Sequence, residues 1–111
     1  RADFDGWALR VPALSVNLVD ITATLKREVT VEDVNRAFLD ASTGALKGIM
    51  GIAEAPLVSC DFTGREESVV MDLELTRVLG GRFLKVFGWH DNEIAYAARL
   101  VELVRHLAER G

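Results

Sequence analysis

A chain of 111 residues is one domain in size and long enough to bury a core without disulfide staples. Its 13 basic and 17 acidic residues are interspersed and leave a net charge of −4, so no basic patch argues for nucleic acid and nothing draws the chain to an anionic membrane. No apolar run reaches the roughly 20 residues of a membrane-spanning helix, and the single cysteine, Cys60, excludes an internal disulfide and suits a reducing compartment.

The chain opens with RADFDGWALRVP, which has neither an initiator Met nor the apolar centre of a signal peptide. A processed chain, or one cut from something longer, is the expectation. Trp7 to Val11 predicts a short strand that Pro12 closes. Arg10 is the odd residue in it. A cation in a short apolar run either snorkels or pairs with an acid, or else clamps an anion through the paired donors of its guanidinium. The pattern alone favours the first. Leu14 to Leu25 predicts a long strand whose apolar parity switches between Leu18 and Val19, the sign of a bulge.

Thr30 begins a helix, with Asp33 three residues on as a short-acid capping box and Val31, Val34, Ala37, Phe38 and Ala41 as the buried stripe. Gly44 suits a left-handed cap at its end. Ile49 to Ala53 predicts a short strand, and Pro56 ends that segment. Cys60 has no base beside it in sequence, which predicts a buried, inert thiol rather than a nucleophile. Ser68 to Leu79 predicts a strand, joined by Gly80-Gly81 in a hairpin to the next.

That next run, Phe83 to Trp89, is interrupted only by Lys85, so both faces of the strand should be covered and it should lie mid-sheet. Asp91-Asn92-Glu93 follows. Asp91 or Asn92 can cap the helix that starts there, and the acids suit its dipole. A strand delivering polar residues to a helix start is also a common place for a ligand; the residues alone favour capping. The last helix carries Ala97, Leu100, Val101, Val104, Leu107 and Ala108 as one apolar stripe and ends at Gly111. Two histidines and one cysteine, widely spaced, make no metal-ligand pattern.

These elements predict one α+β domain over residues 1–111: a mixed, mostly antiparallel sheet with two helices on one face. The other face, partly apolar, is left for a second sheet from another subunit. Half of the residues are hydrophobic, which also points to a second buried surface.

Five motifs occur in order: LRVP (Leu9 to Pro12), LKREVTVEDVN (Leu25 to Asn35), LKGI (Leu46 to Ile49), PLVSCDF (Pro56 to Phe62) and GWHDNEIAY (Gly88 to Tyr96). Together they resemble the C-terminal, catalytic-domain part of phosphorylating glyceraldehyde-3-phosphate dehydrogenase, with its erythrose-4-phosphate dehydrogenase relative also possible. The resemblance covers essentially the whole chain. It implies a parent oxidoreductase that uses a cysteine nucleophile, a histidine base and NAD or NADP on a phosphorylated aldehyde and inorganic phosphate, as a cytoplasmic tetramer in glycolysis. By resemblance, Arg10 matches the phosphate-binding arginine, Asn92 the asparagine that holds the nicotinamide carboxamide, and Tyr96 the aromatic residue near the nicotinamide.

The chain also departs from the family. The dinucleotide-binding domain and the segment holding the nucleophile are absent, so no catalytic residue is assigned. Cys60 stands where the family usually has serine, His90 where it has tyrosine before DNE, Ile94-Ala95 where it has Trp-Gly, and Glu66-Glu67-Ser68-Val69 where it has Pro-His-Ser-Ser. The expectation is a dehydrogenase portion that is inactive alone and holds no cofactor tightly. The alternative is a free-standing, non-catalytic module for association or ligand binding, derived from such an enzyme.

Overall fold

A computed structural model describes residues 3–111. Five strands form one mixed sheet: β1 (Asn17–Thr24), β2 (Met50–Ala53), β3 (Val69–Asp72), β4 (Arg77–Leu79) and β5 (Phe83–His90). Helix α1 spans Val31–Thr43 and α2 spans Ile94–Arg110. The order across the sheet is β1-β5-β3-β2, with β4 sharing the β3 edge of β5. All pairings are antiparallel except β2 with β3, which residues 54–68 connect by a crossover. The α+β class expected from the sequence is what is observed.

β5 is central because it is apolar on both sides. Val86 and Leu84 face α1, where Val34, Phe38 and Leu39 pack with Met71, Leu73, Met50, Ile52 and Val69. Trp89 points to the opposite face, into a second cluster with Val16, Ala53, Phe62 and Val70. A short 3₁₀ turn at Ser59–Phe62 covers that cluster. The Phe62 and Trp89 rings stack at 4.9 Å with 11° between their planes, and the indole N–H donates to Asp72 Oδ2 at 3.0 Å. A stacked aromatic pair, with Phe62 buried and the polar atom of Trp89 satisfied, is a strong anchor.

The helix ends follow local rules. Thr30 Oγ1 accepts from the Asp33 N–H at 3.1 Å, and Asp33 Oδ2 accepts from the Thr30 N–H at 3.0 Å, the reciprocal box read from the sequence. In the β4–β5 hairpin, Gly80 and Gly81 take φ of 55° and 70°, which side-chain-bearing residues rarely adopt together.

Several expectations are corrected. Trp7 to Val11 is not a strand: the segment is irregular and Trp7 is 83% exposed, because no described strand lies alongside to take its hydrogen bonds. The long first strand starts at Asn17 and carries no bulge, since its eight residues pair with β5 in unbroken register; the break falls before it, at Val16, whose φ is 73°. Ser68 to Leu79 is two strands with a 3₁₀ turn at Leu73–Leu75 between them, which lets Asp72 and Thr76 both be buried. Gly44 has φ −105° rather than a left-handed value. Cys60 is exposed, because its 3₁₀ turn points Phe62 inward instead. α1 lies on the sheet, whereas α2 leaves the sheet end with Ala95 as its buried residue, and Leu100, Val101, Val104 and Leu107 are open to solvent.

Gly88 offers a test of the β5 packing. A Cβ there would stand 2.5 Å from Val69 Cγ2 and 3.4 Å from Met71 Sδ. Gly88→Ala is expected to cost about 1–3 kcal/mol in urea unfolding, the usual range for overpacking. The Gly88→Ala, Val69→Ala double variant should lose less than the sum of its singles; strict additivity would contradict this packing.

Candidate functional site

Two of the resemblance-derived residues, Asn92 and Tyr96, stand at one end of the sheet, and Arg10 lies on the segment that leads into the same end. Asn17 pairs with His90, so β1 begins where β5 ends. The segment carrying Arg10 therefore enters at the end from which the turn carrying Asn92 leaves. Arg10 is exposed on its irregular segment. Asn92 is exposed in the β5–α2 turn, and Tyr96 is 63% exposed one helical turn later.

Asp91 organises this end. It is 4% exposed. Its Oδ1 accepts from the Glu93 and Ile94 N–H groups, both at 3.1 Å. Its Oδ2 accepts from the Gly64 N–H at 2.9 Å, and its carbonyl accepts from the Ala95 N–H at 3.1 Å. Asp91, not Asn92, is thus the cap of α2. This leaves the Asn92 side chain free for something else. The Gly64 N–H, more than any other group, holds the Asp91 carboxyl below the usual carboxylate range, with Ile94, Glu93 and the neighbouring His90 adding to it and burial opposing.

The contacts continue into the N-terminal segment. Gly64 takes φ +83°, a turn that suits glycine. Thr63 beside it lies within 3.4 Å of Ser15, hydroxyl to hydroxyl. Val16 then packs in the cluster with Phe62 and Trp89. Three segments distant in sequence are joined here. The sequence did not reveal the Gly64 and Ser15 contacts, because turn contacts between distant segments leave no periodic trace. Asp72 as the partner of Trp89 had a signal available, an acid inside the apolar run VVMDL.

The Asn92 amide and, on a separate segment, the Arg10 guanidinium are each exposed. Among the described residues, no cluster of three or more His, Cys, Asp or Glu side chains could hold a metal ion. An open groove of ≈ 340 Å³ runs along α2 between Glu66, Ile94, Val101 and Arg105; Arg10, Asn92 and Tyr96 do not line it. No helix among the described residues is long and apolar enough to cross a membrane.

Asp91→Ala is expected to lower stability by about 0.5–2 kcal/mol near neutral pH. Because the folded carboxyl sits below its ordinary value, Asp91 contributes stability above the ordinary carboxylate range of about pH 4, and this is lost as pH falls through the lowered folded value. The gap between wild type and Asp91→Ala should therefore close on acidification. A gap unchanged from neutral pH to pH ~3 in denaturant titrations would show that the ionised carboxylate is not what holds the turn.

Comparison with known proteins identifies the family. Residues 1–92 match the family model described as glyceraldehyde 3-phosphate dehydrogenase, C-terminal domain. Glyceraldehyde-3-phosphate dehydrogenase of Priestia megaterium is 46% identical over 111 residues, all of this chain and 33% of that protein. Glyceraldehyde-3-phosphate dehydrogenase 1 of Streptomyces avermitilis is 48% identical over 99 residues, 89% of this chain and 29% of that protein. The cytosolic enzyme of Craterostigma plantagineum is 41% identical over 103 residues, 93% of this chain and 31% of that protein. The chain spans about a third of the length of these relatives. It belongs to the glyceraldehyde-3-phosphate dehydrogenase family and corresponds to the C-terminal domain.

Proposed function

We propose that the chain is the C-terminal portion of an NAD- or NADP-dependent phosphorylating aldehyde dehydrogenase, and that it cannot run the reaction alone. The observation that carries this reading is the match of the entire chain to one third of such enzymes. In the full-length parent the substrates are a phosphorylated aldehyde and inorganic phosphate. Arg10 binds the substrate phosphate, where a planar guanidinium offers paired donors. Asn92 holds the nicotinamide carboxamide, since a side-chain amide can both donate to it and accept from it. Tyr96 stands one helical turn on, near the nicotinamide. No metal takes part in this reading.

The isolated chain has no nucleophile–base pair and no complete dinucleotide site. NAD or NADP belongs to the full-length parent, and this chain alone holds neither tightly. The parent is cytoplasmic and engages neither nucleic acid nor a membrane.

The chain self-associates, as a homo-oligomer, through the sheet face opposite α1. Leu18 and Phe83, each 46% exposed, stand on that face. Between them, Lys85 Nζ bonds Asp20 Oδ1 and Oδ2 at 2.7 Å and lies 5.1 Å from the Phe87 ring centre. Apolar residues around a paired charge can be covered without stranding an ion.

Two measurements test the reading. The 111-residue chain, given NAD, glyceraldehyde 3-phosphate and inorganic phosphate, should show no turnover; NADH formation by it would overturn the statement of inactivity. In sedimentation the chain should associate with rising concentration, and Phe83→Asp should shift it towards monomer. A monodisperse wild-type monomer at high concentration would contradict the interface.

A further inference from the structure

A helix cap needs one oxygen, and Asp91 uses both of its own. Oδ1 satisfies the Glu93 and Ile94 N–H groups of its own turn. Oδ2 reaches back to the N–H of Gly64, on the turn that also carries Thr63 and its contact with Ser15. The buried carboxylate therefore fixes the β5–α2 turn relative to the turn beside the start of β1. Asn92, the next residue, is exposed and lies between Asp91 and the Glu93 and Ile94 N–H groups that the Asp91 carboxylate holds.

We infer that Asp91 is a positioning residue: it holds residues 91–94 against the Gly64 turn, so that Asn92 presents its amide in one orientation to a nicotinamide carboxamide. The inference rests on the reading of Asn92 given above. A pair of amide hydrogen bonds is directional and tolerates little displacement. With Asp91 in place, the turn is ordered before the cofactor arrives. Without it, three backbone N–H groups lose their acceptor, and the cost of ordering the turn falls on cofactor binding. The consequence belongs in the KM for the cofactor more than in kcat, because the hydrogen bonds concerned are made in the ground state and kept in the transition state.

The experiment uses the natural-length protein that carries this chain, assayed with NAD, glyceraldehyde 3-phosphate and inorganic phosphate. The variants are D91A, D91N, N92A and the D91A, N92A pair, each with its melting temperature. D91A should raise the KM for NAD about tenfold with kcat within about threefold of wild type. D91N keeps an oxygen for one turn but turns an NH₂ group on the other, so it should raise KM about threefold. The double variant should be no worse in KM than N92A, because Asp91 acts through Asn92.

A D91A protein that melts earlier but keeps the wild-type KM for NAD would reduce Asp91 to a structural cap, as would additive effects in the double variant. If D91A does not fold, D91N decides: a wild-type KM overturns the inference. If N92A itself leaves KM unchanged, the reading of Asn92 fails and the inference goes with it. If N92A raises KM and D91A does not, only the role of Asp91 is lost.

Discussion

The structure depends on one strand that must be covered on both faces. β5 has partners along both edges, β1 on one side and β3 and β4 on the other. Its alternate residues feed two separate clusters, one under α1 and one under the 3₁₀ turn at Ser59–Phe62. Packing the Trp89 side requires a partner that reaches over the sheet end, and the crossover from β2 to β3 provides it in Phe62. The turn that follows, Thr63-Gly64, is thereby placed where Asp91 can bond it. The site is thus a consequence of covering a tryptophan. The strand's apolar residues determine where the loop lies, and the loop determines how the helix start is held.

This also explains which parts were legible in the sequence. The run Phe83 to Trp89, the Thr30–Asp33 box, the Gly-Gly hairpin and the cap before α2 are set by residues adjacent in the chain, so local rules find them. The failures share the opposite character. Trp7 to Val11 has strand composition, yet a strand exists only where a neighbour takes its hydrogen bonds. Ser68 to Leu79 alternates well enough to pass for one strand, but Asp72 is turned inward by the indole N–H of Trp89, a contact made across 17 residues. Cys60, expected to be buried for want of a base beside it, is exposed, since its short turn can bury only one side and Phe62 takes it. Asn92 and Arg10 are assigned by resemblance, while the contacts of Gly64 and Ser15 required the fold.

Much of what the chain leaves open is apolar. Leu100, Val101, Leu103, Val104 and Leu107 on α2, Val19 and Ile21 on β1, and Trp7, Leu9 and Val11 before it are all exposed. Among the described residues, β1 is paired along one edge only. These surfaces differ in kind. An open strand edge offers backbone hydrogen bonds and selects an extended partner. A helix stripe offers side chains alone and selects a groove. The sheet face opposite α1, with an ion pair between apolar residues, is flat and suits a second sheet. The three are chemically distinct, so covering one would not cover the others.

The departures from the family pattern fit the same mechanical account. Ala95 stands where glycine is usual, and it is fully buried, so the position demands a small side chain whether or not it is glycine. Its N–H bonds the Asp91 carbonyl, which ties that demand to the cap. Ile94, where the family has tryptophan, is 43% exposed at the edge of the groove along α2, a place where size can vary without moving the turn. His90 replaces tyrosine one residue before the cap, and its ring adds to the influences that keep the Asp91 carboxyl ionised. All three of these positions touch Asp91, and none of the changes removes a hydrogen bond to its carboxylate. The geometry around Asn92 can therefore persist while the residues flanking it change, because it is held by backbone N–H groups that every residue except proline supplies.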